Sequence, residues 1–524
     1  MFVVLLVTTS PLALLRLFYS VEQHTAWKSY ASFFTVLLLS ITTYKLSPFH
    51  PLAQHPGPIL CKLTKLWTTY VAYQGKLHKY HKQLHEKYGP IVRVGPNELS
   101  VADKDYISLV LGTPGLPKGP LWEGQIVTPA NRRNKSNSLI SVPDLRRHAQ
   151  LRKPWNKAFG TAPMNDFGEI LIKKASELSD HLMEICKSSV DRHAHLDLAK
   201  WISYFAFDFM GDMAFGGGFE LMRDDDKDGL WHGMETALST ASLTQHIPWA
   251  ANAIRSMPFA GTGMKDFAEV AVKQAKIRSA KEVERKDLFY HLLNAADPDS
   301  TSDPLALIMS NSLLTIIAGS DTTASVLSNV MYYLLAHDKY FAALRQEIDE
   351  YFPLNQHVSI EITKFPAMKL LNAIINEALR LQPAVPTSVQ RAPPKGSGGV
   401  FLGEIFIPEG TGINVPPYCL HRDPRYFSPR TEEFWPERWL IEKPEDPDFV
   451  LDLAAFIPFS FGPANCAGKS LAVLELRYLV TMLVRQFDMR FENGFTAGAW
   501  EKSLLDRFVI AKGPLPVVLS PRRT

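Results

Sequence analysis

The chain has 524 residues, of which 46% are hydrophobic and 21% are charged, and its formal net charge is +3. This composition is typical of a folded globular protein and excludes a disordered chain. The small net charge, without a lysine- or arginine-rich block between aromatic residues, argues against nucleic-acid binding. The four cysteines form no CxxC pair, which argues against a disulfide framework or zinc knuckle and suits a reducing compartment.

Two apolar runs lie near the N-terminus, at residues 1–15 and Tyr30–Tyr44. Each is shorter than the roughly 20 residues that cross a bilayer as a straight helix. The first lacks the basic start and small-residue cleavage site of a secretory signal, so we expect residues 1–47 to be an uncleaved membrane anchor. The prolines of residues 48–58 predict a stiff, extended spacer, and nearby lysines predict a cytosolic position for residues 59–524.

Helical patterns dominate the rest of the chain. Asp144–Phe159 separates basic from apolar residues, as an amphipathic helix does, and Pro304–Ala336 is typical of one long apolar helix. Short β runs flank Gly95, and further short strands are expected within Arg391–Asn414. Residues 221–228 are expected to form an acidic, solvated loop. The predicted fold is mainly α with a small β-sheet region, in one large unit.

The polar turn AGSDTT, residues 318–323, interrupts the long apolar helix. Asp321 and Thr322 suit a helix interior poorly because their side chains compete for backbone hydrogen bonds, and Gly319 weakens the same turn. A tolerated polar turn, with hydroxyls bonded back to carbonyls, explains the pattern structurally. The functional alternative is a helix opened at this turn into a groove, where an acid and a hydroxyl relay protons.

Two further motifs combine acidic and basic residues. NEALR places Glu377 and Arg380 three residues apart on one helix face. Alone, this spacing indicates a surface ion pair, which is common and weak. FWPERW, residues 434–439, encloses Arg438 among aromatic residues, from where it can pair with Glu377.

The stretch FSFGPANCAG, residues 459–468, surrounds Cys466 with aromatic residues and glycines and with no charge. A thiol in such surroundings is either inert packing or a metal ligand shielded from water. The remaining cysteines are expected to be packing residues: Cys61, Cys186 and Cys419.

Together these stretches resemble the cytochrome P450 family. The family's cysteine loop has a phenylalanine, a glycine, the cysteine and a second glycine in the register of Phe459, Gly462, Cys466 and Gly468. The resemblance implies a haem-thiolate catalytic domain in residues 59–524, with Cys466 as the axial ligand of haem b iron. Such a thiolate donates electron density to the iron and favours O–O cleavage. Both glycines are expected to let the backbone turn around the sulfur, and Phe459 to pack against it.

The other motifs are similar to further signatures of the family. Glu377 and Arg380 resemble the pair of its K helix, and Arg438 the arginine of its PERF stretch, which implies a buried network that fixes the cysteine loop. AGSDTT resembles the oxygen-activation turn, which makes Asp321 and Thr322 the implied proton donors. The order and distances match the family over about residues 56–521, and two stretches, at residues 213–222 and 421–439, resemble fungal members.

The chain departs from the family at one position near the haem propionates. The family usually has arginine or histidine two residues before the cysteine, where this chain has Ala464. Arg152 matches the helix-C arginine that reaches a propionate, Arg391 matches a second propionate contact, and His148 stands where many members have tryptophan. The resemblance therefore implies haem binding with one charge-assisted partner missing, a loss on the order of 1.5–3 kcal/mol.

The implied reaction is reductive activation of O2, with electrons from an NADPH–cytochrome P450 reductase in the endoplasmic reticulum membrane. Four basic residues near Arg152, which itself is expected to point inwards, are expected to border the docking face: Arg146, Arg147, Lys153 and Lys157. Two alternatives remain open. One is a haem-thiolate isomerase or dehydratase that needs no external electrons, against which the acid–alcohol turn argues. The other is a non-catalytic haem-binding relative, supported only by Ala464.

Positions that match the family's distal pocket are almost all apolar: Leu139, Ile140, Leu314, Ile317, Ala318, Val385, Thr387, Val389 and, at the margin, Trp500 and Phe508. None of them is a lysine or arginine that pairs with a carboxylate. We therefore expect a lipophilic, uncharged substrate. A terpenoid of fungal secondary metabolism is the class we choose, because fungal members of the family often act in such pathways.

Overall fold

The structure, a computed structural model, describes residues 10–11, 23–113, 115–122, 139–140, 142–227, 229–250, 262–280, 286–294, 304–354 and 359–522. Its helices are α1 (Gln23–Leu46), α2 (Ile59–Leu63), α3 (Lys65–Tyr73), α4 (Leu77–Tyr88), α5 (Asp105–Leu111), α6 (Leu145–Ala158), α7 (Thr161–Ser188), α8 (Leu198–Phe215), α9 (Leu221–Asp224), α10 (Leu230–Thr244), α11 (Thr262–Ala280), α12 (Leu288–Asn294), α13 (Pro304–Ala336), α14 (Asp338–Tyr351), α15 (Lys369–Leu381), α16 (Pro417–Leu420), α17 (Lys469–Gln486) and α18 (Ala497–Ser503).

The strands are short and form small sheets. They are β1 (Ile91–Gly95), β2 (Glu98–Val101), β3 (Ala194–Asp197), β4 (Gly399–Leu402), β5 (Ile405–Pro408), β6 (Gly412–Asn414), β7 (Phe427–Ser428), β8 (Val450–Leu451), β9 (Phe487–Phe491), β10 (Leu505–Arg507), β11 (Val509–Ala511) and β12 (Pro516–Pro521). The sheet orders are β1-β2-β6, β3-β12-β9, β4-β5, β7-β8 and β10-β11. The predicted class, mainly α with a small β-sheet region, is confirmed for the described residues.

The predicted long apolar helix is confirmed as α13 and crosses the almost wholly buried α8. Gly319 lies at this crossing, where a Cβ would be 2.5 Å from the sulfur of Met210. The helix is continuous through residues 318–323, so the opening expected at Gly319 is absent. Glycine at this position is explained by the close approach of two helices, not by a groove.

Two large hydrophobic clusters, with two small ones beside them, form the core of the described residues. The larger is helical and includes most of α8 together with residues of α7, α13, α15 and α17. The smaller lies around the β1-β2-β6 sheet and includes Leu99, Ile413 and Ile457. The segment that leads to Cys466 passes between the two clusters.

The expected membrane anchor has no support in the described part of the chain. The second apolar run lies within α1, whose 24 residues include Lys28 and Lys45. Among the described helices, none is at once long enough and apolar enough to cross a bilayer. The first run, apart from Ser10 and Pro11, lies outside the described residues.

Residues 48–58 are not the extended spacer that their prolines predicted. Consecutive turns begin the segment, in which the N–H of His50 donates to the carbonyl of Ser47 at 3.1 Å and the N–H of Ala53 to that of His50 at 2.8 Å. Leu52 is only 1% exposed. Proline fixes φ near −65°, a value found both in tight turns and in extended chain. Proline content alone therefore does not distinguish the two, and the turn hydrogen bonds and the burial of Leu52 show that this segment forms turns.

The expectation of a solvated loop at residues 221–228 is wrong for its first half. Residues Leu221 and Met222 of α9 are buried, and their N–H groups donate to the Asp208 carboxylate at 2.8 and 3.0 Å. Desolvation raises the pKa of Asp208 to about 6 against these hydrogen bonds. An acidic run can therefore begin with a buried turn when a carboxylate from another helix satisfies its backbone.

Candidate active site

The cysteine loop, residues 459–468, is held from two sides. Phe459 packs against the larger, helical cluster, whereas Ile457, just before the loop, belongs to the smaller one. The N–H of Cys466 donates to the carbonyl of Phe459 at 2.9 Å, which closes the loop on itself. Cys466 consequently lies just before α17, which begins at Lys469.

Cys466 is exposed, whereas the three cysteines predicted to be packing residues are buried. Protein atoms nevertheless surround its thiol closely enough that desolvation raises its pKa. The thiol is therefore accessible although many protein atoms lie near it. The N–H of Gly468, followed by the charges of Arg152 and Lys469, opposes the rise in pKa. These interactions favour a thiolate, the form that ligates a metal.

The two glycines of the loop serve different purposes. Gly462 has a φ of +73°, and a Cβ there would lie 2.1 Å from the Leu111 carbonyl oxygen, so conformation and close packing both require glycine. Gly468 has a φ of −86°, which any residue adopts. The nearest atom to a Cβ at Gly468 is in the Phe159 ring, at 3.9 Å. The expectation that both glycines are needed for the turn is therefore wrong for Gly468, which acts through its N–H.

Arg152 connects α6 to the cysteine loop. Its two Nη atoms donate to the carbonyl and the side-chain amide oxygens of Asn465, at 2.6 and 2.8 Å, and its Nε donates to Asn156 at 2.8 Å. Arg152 is half-buried, in line with the inward orientation predicted for it, while three of the basic residues on the same helix are exposed: Arg146, Lys153 and Lys157. The side chain thus lies beside Cys466, close enough for the two groups to influence each other's pKa.

Arg391 is a buried guanidinium for which the described residues supply no acceptor. It is 4% exposed, forms no side-chain hydrogen bond or ion pair with the part of the chain that the structure describes, and has a buried Nε. Desolvation lowers its pKa to about 10. An unsatisfied buried charge is costly, and a neighbouring anion removes that cost. Haem brings two carboxylates, so Arg391 and the thiol of Cys466 together fit this cofactor.

Glu377, Arg380 and Arg438 form one network and are all 0% exposed. The Glu377 carboxylate accepts two hydrogen bonds from Arg380, both at 2.9 Å, and one from Nε of Arg438 at 3.1 Å. It also accepts the Trp435 backbone N–H at 3.0 Å and the Trp439 indole N–H at 2.9 Å. The contact between Glu377 and Arg438 that the sequence suggested is present, and the Glu377–Arg380 pair, which alone indicated a surface ion pair, is buried.

His421 links this network to the cysteine loop, and sequence reasoning missed it. Arg380 donates to the His421 carbonyl at 2.9 Å, and the imidazole Nε2 accepts the N–H of Ile457 at 2.9 Å. Burial, with Arg380 and Arg422 nearby, lowers the pKa of His421 to about 3, so the ring is neutral and can accept. No local pattern identifies such a histidine, because its partners lie far away in sequence.

The polar turn of α13 is bonded back onto its own helix. The Thr322 hydroxyl donates to the Ala318 carbonyl at 2.6 Å, and the Ser320 hydroxyl donates to the Ile316 carbonyl at 2.7 Å. This is the arrangement expected of a tolerated polar turn. It uses the hydroxyl proton of Thr322 and leaves the oxygen lone pairs free to accept.

Asp321 has neither a hydrogen bond nor an ion pair within the described ranges. Burial raises its pKa, and the charge of Lys512, which follows β11, acts in the opposite direction. Burial also raises the pKa of Glu235, on α10, to about 7. The charge of Lys512 opposes this increase in the pKa of Glu235, and the charge of Asp321 adds to it. A carboxyl group with a pKa near 7 suits proton exchange at neutral pH. No motif includes Glu235 or Lys512, so sequence reasoning missed both residues.

The positions matched to a distal pocket differ in their exposure. Leu314, Ile317, Val385 and Val389 are half-buried and Ala318 is exposed, whereas Leu139 is buried and Ile140 is half-buried. Thr387 is 9% exposed and its hydroxyl hydrogen-bonds Asp506, lowering the pKa of that carboxyl.

The two marginal positions differ. Phe508 packs edge-on against Trp122, with ring centres 5.9 Å apart. Trp500 is 0% exposed, donates to the Asn329 amide oxygen at 3.0 Å and stacks on Tyr332. Trp500 is therefore a core residue, and its assignment to the pocket is wrong.

Comparison with known proteins agrees with this site. The cytochrome P450 family model matches residues 53–498. Cytochrome P450 67 of Uromyces fabae is 31% identical over 500 residues, which cover 93% of this chain and 89% of that protein. Tryprostatin B 6-hydroxylase of Aspergillus fumigatus is 30% identical over 504 residues, covering 94% and 84%. Trichothecene C-15 hydroxylase of Fusarium sporotrichioides is 30% identical over 495 residues, covering 93% and 96%.

The family match includes the cysteine loop and most of both large core clusters, and the relatives align over 84% to 96% of their own length. The thiol of Cys466 and the guanidinium of Arg391, which has no acceptor in the part of the chain that the structure describes, supply what a haem with a cysteine ligand requires. The chain belongs to the cytochrome P450 family and is a monooxygenase, an oxidoreductase that uses haem with an axial cysteine thiolate, O2 and electrons from a redox partner.

Proposed function

We propose that this monooxygenase hydroxylates or otherwise oxidises a lipophilic, uncharged molecule, a terpenoid of fungal secondary metabolism. The observation that carries the proposal is the apolar character of the accessible positions matched to the pocket: Leu314, Ile317, Ala318, Val385 and Val389. Apolar walls with few polar groups select lipophilic ligands. The names of two relatives, a tryprostatin B hydroxylase and a trichothecene hydroxylase, support hydroxylation as the reaction.

Cys466 is the proposed iron ligand, and Arg391 and Arg152 are the proposed partners of the propionates. Bound haem supplies the activation of O2, and the protein supplies the ligand, the charges and the proton path. The N–H of Gly468 and the charges of Arg152 and Lys469 stabilise the thiolate. Phe459 packs at the edge of the larger cluster and closes the loop on this side.

Asp321 and Thr322 are the proposed proton-delivering pair. Burial raises the pKa of Asp321, which favours the protonated carboxyl that a proton donor requires. Thr322 lies beside it and keeps its lone pairs free to accept, because its proton is donated to Ala318. We assign proton transfer to Asp321 and orientation of the reacting group to Thr322.

The proposed electron donor is an NADPH–cytochrome P450 reductase, and the proposed location is the cytosolic side of the endoplasmic reticulum membrane. Arg146, Lys153 and Lys157 are exposed on α6, the helix whose Arg152 contacts the cysteine loop. A basic face next to the haem ligand is suited to an acidic flavin domain. Association is then expected to weaken as salt increases.

The experiment is production of the full chain with a reductase in a eukaryotic host, followed by feeding of terpenoid and indole-alkaloid scaffolds. Oxygenated product that requires NADPH, the reductase and O2 supports the proposal, and the scaffold that is consumed identifies the class. Product formed without NADPH indicates a haem-thiolate isomerase or dehydratase instead. Oxidation of alkaloids alone retains the monooxygenase and excludes the terpenoid.

A further inference from the structure

A second cation faces Arg391, and it belongs to none of the motifs. Lys118 and Arg391 are opposite each other in an antiparallel β-bridge. The bridge is fixed on both sides, by the N–H of Gly119 donating to Gln390 at 2.9 Å and the N–H of Ala392 donating to Pro117 at 3.0 Å. Like charges directly opposite each other in such a pair are destabilising. Their juxtaposition points to an anion that lies between them.

The cations around this bridge have only neutral acceptors in the described chain. Arg391 has no acceptor, Arg152 donates to two oxygens of Asn465, and Lys118 donates to the carbonyls of Leu139, at 3.1 Å, and Ile140. His148 is buried at 8% exposure, and the charges of Lys118, Arg152 and Arg391 all act on its imidazole. Its pKa is lowered to about 4, first by burial and then by Lys118, Arg152 and Arg391. Three cations therefore converge around one neutral imidazole.

Burial and the charge of Arg391 lower the pKa of Lys118 to about 7, and its ammonium form still has a donor left for an anion. A lysine has three N–H donors, of which two reach the carbonyls of Leu139 and Ile140. The Trp122 ring lies beneath the ammonium, 5.3 Å away, and covers another side. One N–H of Lys118 is thus left without an acceptor among the described residues, and Arg391 lies opposite Lys118 in the bridge.

We propose that Lys118 binds a haem propionate and supplies the cation that Ala464 lacks. The same ammonium holds the backbone at Leu139 and Ile140, which joins the pocket wall to the cofactor. The inference rests on haem binding, which family membership establishes, and not on the choice of substrate or reductase. Lys118 is a cofactor-binding residue in this account and takes no part in the reaction.

The test is the rate of haem transfer from the ferric full-length protein to excess apomyoglobin. Lys118→Met is expected to accelerate haem loss roughly 10- to 100-fold, as for one charge-assisted hydrogen bond. Ala464→Arg, placed in the Lys118→Met protein, is expected to restore most of the retention, and Lys118→Arg to retain haem almost as the original protein does. If the Lys118→Met protein is recovered without haem, the haem content of the protein that carries both Lys118→Met and Ala464→Arg replaces the transfer rate. Bound haem in this double variant supports the inference, and its absence overturns it.

Lys76 provides the matched control, because its ammonium also donates to two backbone carbonyls, those of Lys502 and Leu504, at 3.0 and 2.9 Å. Lys76→Met is expected to leave haem transfer unchanged. Unchanged transfer in Lys118→Met overturns the inference, as does a fast loss that Ala464→Arg fails to slow, since that result indicates loss of the carbonyl contacts alone. Neither result affects the monooxygenase assignment, which the carbon monoxide spectrum of the same variants reports separately.

Discussion

The neutral imidazole of His421 accepts the backbone N–H of Ile457 at 2.9 Å, two residues before the cysteine loop begins. The carbonyl of the same histidine accepts from Arg380. A single buried residue therefore transmits the position of the Glu377 network to the segment that carries Cys466.

His421→Phe is expected to accelerate haem loss and to lower the thermal midpoint. The buried N–H of Ile457 loses its acceptor, which costs about 1–3 kcal/mol. Both effects are read from haem transfer and from melting followed at the Soret band. His81→Phe is the control, because His81 is also buried, at 3% exposure, but has no contact with the loop. Equal haem loss in the two variants would contradict the link.

Arg438→Met is expected to destabilise the folded protein by about 3–5 kcal/mol, because it leaves part of the charge of Glu377 buried without its partner. The prediction is checked by denaturant unfolding of the haem-bound protein. Arg490→Met, at an exposed arginine on β9, should have little effect. Similar unfolding of the two variants would show that the network is not needed for stability.

Thr322→Ala is expected to keep haem, the carbon monoxide spectrum and NADPH consumption while product gives way to hydrogen peroxide. General acid assistance is worth 10²–10⁴-fold, so product per NADPH should fall strongly. Product and peroxide are measured together against the NADPH consumed. The alternative, in which the hydroxyl only bonds the Ala318 carbonyl, predicts a small loss of stability with coupling intact.

Glu235→Gln is expected to raise stability at pH 8 and to change it little at pH 5. The pKa of Glu235 is raised from 4.5 to about 7 in the folded state, mainly by burial. The folded protein therefore binds more protons than the unfolded chain between these values, and its stability falls as pH rises through them.

Glutamine does not titrate, so the free energy of unfolding above pH 7 should increase by an amount on the order of 1–3 kcal/mol. Thermal midpoints at the two pH values test the prediction, with the exposed Glu501→Gln as the control. Lys512, Asp321 and Asp226 are the charged groups that act on Glu235. An equal change at both pH values would show that Glu235 does not titrate in this range.

Sequence patterns predicted α13, the β1–β2 pair and the cysteine loop because each depends on a few neighbouring residues. They misassigned Trp500, since an apolar aromatic residue suits a core and a pocket equally, and only its contact with Asn329 separates the two. Gly319 predicts a local weakness of the helix, whereas the contact that requires glycine there is with Met210 on another helix. His421, Lys118 and Glu235 were missed because their roles come from charges and backbone atoms of distant segments.

The central claim is that Cys466 supplies the thiolate of a haem monooxygenase, and the reduced carbon monoxide difference spectrum tests it most directly. The original protein is expected to show the red-shifted Soret band that a thiolate ligand produces, and Cys466→Ser is expected to lack both this band and NADPH-dependent product formation. A red-shifted band that persists in Cys466→Ser would contradict the assignment of the ligand and the account built on it.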